Sequence, residues 1–327
     1  MKILVTGGAG YVGSHTARLL SSAGHEVWIY DNLCKGHRGA ALPGRLIVGE
    51  LADQPHLERV LAEKTIDAVM HFAAFALVGE SVENPALYYQ NNVATALTLL
   101  EAMRRQAVDK FVFSSTTATY GAPERMPIRE TERQNPINPY GFTKLVVERA
   151  LSDYSRAYGL GYAALRYFNA CGATPTGDLG EDHDPESHLI PIVLQVALGQ
   201  RERIAIYGDD YPTPDGTCIR DYIHVDDLGA AHVKALEQLD PGTELKLNLG
   251  TGKGTSVREI IDACRRVTGH PIPEVIGPRR PGDPPELVAD SSLAKHTLDW
   301  QPRYTDVDEL IATAWRWHQS HPHGYDD

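Results

Sequence analysis

Met1-Lys-Ile-Leu-Val-Thr-Gly-Gly-Ala-Gly-Tyr-Val-Gly-Ser14 runs a short apolar strand straight into a glycine turn and a helix. The spacing of Gly7, Gly10 and Gly13 allows a tight turn, close approach of a pyrophosphate to backbone, and packing of the new helix on a sheet. Tyr11 and Val12 open that helix, whose first N–H groups and positive dipole end suit phosphate. A second strand, Glu26-Val-Trp-Ile-Tyr30, ends in Asp31 and Asn32. An acid at that place bonds an adenosine ribose through its hydroxyls and repels a 2′-phosphate, so the stretch predicts a site for NAD rather than NADP. An ordinary strand-turn-helix corner would not need the terminal acid.

Working outward, 327 residues predict about two lobes around a large sheet-based core. The formal charge of -12, with no basic run, argues against a nucleic-acid partner. No stretch approaches the roughly 18 apolar residues of a membrane span, and Met1 leads into a core strand without a basic-then-apolar leader. The expectation is a cytoplasmic protein with no membrane association. Cys34, Cys171, Cys218 and Cys264 lack CxxC spacing, so they read as reduced thiols, with no zinc site and no disulfide framework.

The strand and helix rhythm continues through 45–48, a helix over 55–63 and the strand 68–72, which predicts an α/β fold with a doubly wound parallel sheet. Glu50 and Leu51 follow the third strand, either touching an adenine or lying in a solvated loop. Phe72, Ala73 and Ala74 end the fourth strand with small residues that let backbone pass close to a cofactor; His71 beside them reads as a satisfied core histidine. A helical stretch over 84–106 presents Leu87, Ala94, Leu97 and Leu100 as its packing face. Asn91 and Asn92 interrupt it, and one of them can reach backbone at the sheet edge. The strand Lys110-Phe-Val-Phe-Ser-Ser-Thr-Thr117 ends in hydroxyls, including Ser114 and Thr116, where such sheets place chemistry. Pro139 starts a helix to about residue 157, and Tyr140 and Lys144 share one face of it. A nearby ammonium would lower the tyrosine pKa from its usual ~10 and make it a usable base.

The glycine stretch, the terminal Asp31, FSSTTATYG (113–121) and Tyr140-Gly-Phe-Thr-Lys144 together resemble the extended short-chain dehydrogenase/reductase family. The likeness continues through HFAAFALVGESVENP (71–85), YYQNNV (88–93), LRYFNACGA (165–173), YGDDYPTPDGTCIRDYIHVDDL (207–228), LNLGTG (247–252) and RRPGDPPELVADSS (279–292). It implies tightly bound NAD, held also by Asn92, Ser114 and Phe168, and redox-neutral inversion at C4 of a UDP-hexose by Tyr140, Lys144 and Thr116. It also implies a homodimer through the two long sheet-packing helices.

After about Phe168 proline and glycine become frequent and helices shorten, which divides the chain into a dinucleotide-binding part over 1–168 and a smaller substrate lobe over 169–327, with some segments returning to the sheet. Arg220, Arg280 and Asp283 stand in loop-like sequence, where paired arginines suit a diphosphate. The resemblance implies that Asn169, Arg220 and Arg280 hold the UDP diphosphate, Asp283 its ribose and Tyr207 the uracil, with His188 and Leu189 lining the channel. The run Asp178–Asp184 lacks a regular ligand spacing, so no metal is expected and the segment reads as a mobile solvated loop.

Three positions depart from the family pattern. Thr116 stands where many members have serine, Ala76 where some have a lysine near the cofactor, and Leu287 where some have a tyrosine that narrows the sugar pocket. Leu287 leaves room for N-acetylated sugars. The rival chemistries are a nucleotide-sugar dehydratase, which carries an Asp-Glu pair directly after the strand-end threonine where this chain has Thr117-Ala118, a net reductase, and a non-catalytic nucleotide-sugar sensor, which would not need Tyr140 and Lys144.

Overall fold

The structure, a computed structural model, describes residues 1–280 and 282–326. Its strands in chain order are β1 (Lys2–Thr6), β2 (Glu26–Asp31), β3 (Leu46–Val48), β4 (Ala68–His71), β5 (Lys110–Thr116), β6 (Gly161–Tyr167), β7 (Asn169–Cys171), β8 (Ile204–Tyr207), β9 (Ile219–His224), β10 (Glu244–Leu249), β11 (Gly254–Ser256), β12 (Glu274–Gly277) and β13 (Glu286–Leu287). Seven of them form one sheet in the order β10-β6-β5-β4-β1-β2-β3, and every pairing is parallel. The chain winds outward in both directions from β1, so the connections leaving β1 and β4 diverge and open a crevice at the carboxyl edge.

Both faces of the sheet are covered, which is why its strands are apolar runs rather than alternating ones. Ile3 and Val5 pack in one layer with the helices Tyr11–Ser22 and Val225–Glu237; Leu4, between them, points into the other, with Gln54–Lys64, Thr95–Arg105 and Pro139–Tyr158. Each fully buried side chain of this kind stabilises the fold by ~1.5–3 kcal/mol. The last strand of the sheet and the helix Val225–Glu237 come from the second half of the chain. The smaller lobe has its own core, in which Ile190, Val193, Ile260, Ile261, Leu310 and Ile311 meet around β8 and β12. A second small sheet, β11-β9-β13 with β7 on β9, gives Cys171 and Tyr222 to this core and Asn169 to the crevice.

The stretch 84–106 differs from its expected form. It folds as a short helix Pro85–Tyr88, a π turn Tyr89–Ala94 and a helix Thr95–Arg105. The wider turn rotates everything after it, so Ala96, Leu99, Leu100 and Met103 are buried while Leu97 is exposed. The run 178–184 is not a free solvated loop. Leu179, Gly180 and Glu181 are buried, Asp178 pairs with Arg18 at 2.7 Å, and Trp317 Nε1 donates to the Glu181 carbonyl at 3.0 Å. His71 is the satisfied core histidine expected, bonded to Thr6 Oγ1 at 2.7 Å. The four cysteines are free, and no helix among the described residues is long and apolar enough to cross a membrane.

Candidate active site

The glycine loop has three different reasons for its three glycines. Gly7 has φ +71°, and a side chain there would meet Ala73 N at 2.4 Å; one on Gly13 would meet the Gly7 carbonyl at 2.2 Å. Gly10 is different: a Cβ there meets no protein atom closer than 3.4 Å. Protein packing therefore does not demand a glycine at 10, and the space it leaves belongs to a cavity of about 380 Å³ along the carboxyl edge. Gly10 is also the N-cap of the helix Tyr11–Ser22, and no side chain satisfies the helix start. Those free N–H groups form a cradle for phosphate.

Asp31 is buried at the end of β2, where Ala9 N donates to Oδ2 at 3.0 Å and Leu33 N to Oδ1 at 2.9 Å. Burial raises its pKa and these two bonds oppose the rise. Each oxygen keeps a lone pair for a ribose hydroxyl. Asn32 Nδ2 donates to Glu50 at 3.1 Å, which ties the ends of β2 and β3 together next to Leu51. Phe72, Ala73 and Ala74 form the wall opposite.

At the end of β5 the chemistry-bearing side chains converge. Asn138 Oδ1 accepts from Gly141 N at 2.8 Å and caps the helix Pro139–Tyr158. Gly141 passes so close to the turn after β5 that a Cβ would meet the Ala118 carbonyl at 2.4 Å, and this approach brings Tyr140 to Thr116. Burial raises the Tyr140 phenol, with the Thr116 hydroxyl pulling the other way. Lys144 Nζ donates to the Ser114 carbonyl at 2.8 Å, and burial pushes its pKa down to about 7. The expected arrangement thus differs in one respect: Lys144 acts on the strand end, and both partners are shifted by desolvation. Ser114 Oγ shares a 2.6 Å hydrogen bond with Tyr167.

The cavity brings together Gly7, Gly10, Tyr11, Val12, Gly13, Asp31, Asn32, Glu50, Leu51 and Phe72–Ala74 with Ser114, Thr116, Tyr140, Lys144, Phe168, Asn169 and His188. Asn92 stands behind its wall. Its amide exchanges 2.9 Å hydrogen bonds with both backbone groups of Phe75, while Asn91 faces the cavity. Leu189, Tyr207, Arg220, Arg280, Asp283 and Leu287 lie outside this lining. In the smaller lobe Arg220 pairs with Asp283, the Arg280 guanidinium sits 4.1 Å over the Tyr207 ring, and Leu287 is in register with Arg220 on the neighbouring strand.

Several functional neighbours escaped sequence reasoning. Tyr167 lies in the stretch LRYFNACGA without a predicted role, and Lys35 carries no motif; its Nζ reaches the Asp184 carbonyl at 2.5 Å only through the fold. Glu148 was detectable, since it continues the Tyr140 and Lys144 face by one more turn. It forms a buried two-bond pair with Arg166 (2.9 and 2.6 Å) and accepts from Ser115 Oγ at 2.5 Å, locking the helix Pro139–Tyr158 to β5 and β6. Glu181, His183, Glu186 and His188 gather beside Tyr11, with the two imidazoles raised to about 9 and about 10, burial being more than offset by the carboxylates.

A doubly wound parallel sheet, a glycine loop at the switch point and a Tyr, Lys and Thr group in the same cavity define a nicotinamide-dinucleotide-dependent enzyme of the Rossmann class. The chain belongs to the NAD dependent epimerase/dehydratase family, whose pattern matches residues 3–250. It is 56% identical over 326 residues to a UDP-glucose 4-epimerase of Halalkalibacterium halodurans, covering 99% of this chain and 98% of that one. A crystal structure of a UDP-glucose 4-epimerase superposes with a TM-score of 0.97 at 53% identity over the whole of both chains. That of the Bifidobacterium longum UDP-glucose 4-epimerase in complex with NAD+ and UDP superposes with a TM-score of 0.95 at 40% identity, covering 99% of this chain and 100% of that one.

Proposed function

We propose that this protein interconverts UDP-glucose and UDP-galactose, using one resident NAD. The observation that carries the reading is the meeting of Tyr140 and Thr116 with the glycine loop in a single cavity. The relatives' shared activity supports it, and Thr117-Ala118 after Thr116 supply no acid for a dehydratase.

The residues fit the cofactor: Gly10 leaves space at a helix N-terminus, Asp31 offers lone pairs for the ribose, and Lys144 keeps two N–H groups beyond the one given to Ser114. NAD held there would supply the hydride acceptor and donor. Tyr140 Oη takes the proton of the C4 hydroxyl and gives it back after the sugar has turned over. Thr116 Oγ1 holds that oxygen in line. Lys144 fixes the nicotinamide ribose with the N–H groups it keeps beyond the Ser114 bond, and the Thr116 hydroxyl is the group that eases ionisation of Tyr140. Asn169 and His188 on the cavity wall, with Tyr207, Arg220, Arg280 and Asp283 beyond it, hold the nucleotide. The Arg220–Asp283 pair and the Arg280 stack on Tyr207 open to receive the diphosphate, ribose and uracil.

Purified protein incubated with UDP-galactose and no added cofactor should form UDP-glucose. Absence of interconversion in protein shown to contain NAD overturns the reading. Leu287 beside Arg220 favours a second substrate, a UDP-N-acetylhexosamine, in the same assay. Two copies pair through the helices Thr95–Arg105 and Pro139–Tyr158, where Leu97, Phe142 and Tyr158 are exposed; light scattering reads the mass. Free cysteines suit the reducing cytoplasm.

A further inference from the structure

Glu181, His183, Glu186 and His188 offer four ligand atoms that all lie within 4.8 Å of one another. The two carboxylate side chains are only 5% and 4% exposed. His188 Nδ1 is 2.7 Å from Glu181 Oε1 and 3.4 Å from Glu186 Oε1; His183 Nδ1 is 3.2 Å from Glu181 Oε1 and 3.7 Å from Glu186 Oε2. Zinc bonds of ~2.0–2.1 Å to nitrogen and oxygen in a tetrahedron give ligand edges of roughly 3.3 Å, in the middle of that range.

Angles supply an independent observation. Glu181 Oε1 and His183 Nδ1 are fully buried, and neither makes a hydrogen bond of acceptable geometry despite the short separations. Imidazolium N–H groups placed to serve these carboxylates would point at them. Here Glu181 Oε1 and His183 Nδ1 are left without such a bond among four clustered ligand atoms, a gathering of donors that a cation would satisfy. Supporting bonds hold the ligands in place: Ser187 N and His188 N donate to Glu186 Oε1 at 2.7 and 2.8 Å, and Trp317 Nε1 fixes the Glu181 backbone.

We propose that Glu181, His183, Glu186 and His188 form a Zn²⁺ site in the wall of the cofactor cavity, His188 binding through Nδ1 and keeping Nε2 for the nucleotide. Two carboxylates and two neutral imidazoles balance the charge of the ion. With four protein ligands the ion has no open position, so it is structural and takes no part in hydride or proton transfer. Its role is to hold the 181–188 segment rigid, and that segment bridges the smaller lobe and the glycine-loop side. The segment touches Trp317 and the helix after His188 in one direction, and Tyr11 and Lys35 in the other.

Untagged enzyme purified from zinc-supplemented cells, measured by plasma mass spectrometry, should carry about one zinc per chain. Removal with dipicolinate and replacement by Co²⁺ should give the intense visible bands of a tetrahedral centre, and returning Zn²⁺ should raise the melting temperature. His183→Ala and His188→Gln should each weaken zinc binding ~10–100-fold, and the double variant should lose the Co²⁺ bands. Circular dichroism checks that each variant is folded; if one is not, the Co²⁺ spectrum of the wild type decides alone. Wild type without zinc and without Co²⁺ bands on titration overturns the site and leaves an ion-pair cluster held by protons. Pale octahedral Co²⁺ bands, or unchanged zinc in the folded double variant, overturn it equally.

Discussion

Lys144 Nζ donates a 2.8 Å hydrogen bond to the Ser114 carbonyl from a position shut off from solvent. Burial holds its pKa at about 7 instead of 10.5. Between those values the unfolded chain binds more protons than the folded one, so this lysine makes stability rise with pH across the window; below it the cost of burying the charge is complete. Lys144→Met has no charge to bury. Its stability relative to wild type should be greatest near ~pH 6 and should shrink towards ~pH 9. Denaturant unfolding at matched cofactor content measures the gap, and a gap independent of pH would rule out a desolvated ammonium.

Tyr140→Phe removes the proton carrier and leaves the ring in place. Turnover should fall ~10²–10⁴-fold with KM little changed, and the protein should still retain NAD and bind UDP. Steady-state kinetics with a cofactor assay on the same sample separate the two effects. Turnover within a few-fold of wild type would take Tyr140 out of the chemistry.

Gly10 and Gly13 should fail in opposite ways. A methyl on Gly13 collides with the Gly7 carbonyl, so Gly13→Ala should lose ~1–3 kcal/mol of stability. Gly10→Ala meets nothing closer than 3.4 Å within the protein. It should unfold within ~0.5 kcal/mol of wild type once both are stripped of cofactor, yet purify with at least ~10-fold less NAD. Equal NAD content in Gly10→Ala and wild type would mean that the dinucleotide does not approach this residue.

The Glu148–Arg166 pair is almost wholly buried. Arg166→Met leaves the carboxylate alone in the core, and the expected loss is ~3–5 kcal/mol. Removing both partners, as Glu148→Leu with Arg166→Met, should recover a large part of that. The Arg166 guanidinium and the Ser115 and Gln134 bonds hold the Glu148 pKa below its ordinary value against the effect of burial. Stability from this group is therefore present at neutral pH and is lost as acid protonates it. Urea titrations of wild type, Arg166→Met, Glu148→Leu and the double variant give the coupling, and a double variant no better than Arg166→Met would show that the pair acts through packing.

The parallel sheet was legible because strands buried on both faces must be continuous apolar runs, and the glycine stretch was legible because a turn and a close approach permit no other residue at 7 and 13. The position of Tyr140 and Lys144 on one helix face follows from helical periodicity alone. Periodicity failed between Asn84 and Gln106, where the π turn adds a residue and rotates the buried face away from Leu97. It also could not reveal that Asn92 braces Phe75 while Asn91 faces the cavity.

Sequence by itself determined the class of fold, the glycine turn into the first helix and the spacing of the Tyr and Lys pair, since each depends on local geometry that neighbours along the chain impose. Tertiary structure alone decided where Lys144 points, how far burial moves it, and that Glu181, His183, Glu186 and His188 form one cluster rather than a solvated loop. Those outcomes depend on desolvation and on packing by residues distant along the chain, Ser114 against Lys144 and Tyr11 and Trp317 against the 181–188 segment, and neither quantity is carried by residue order.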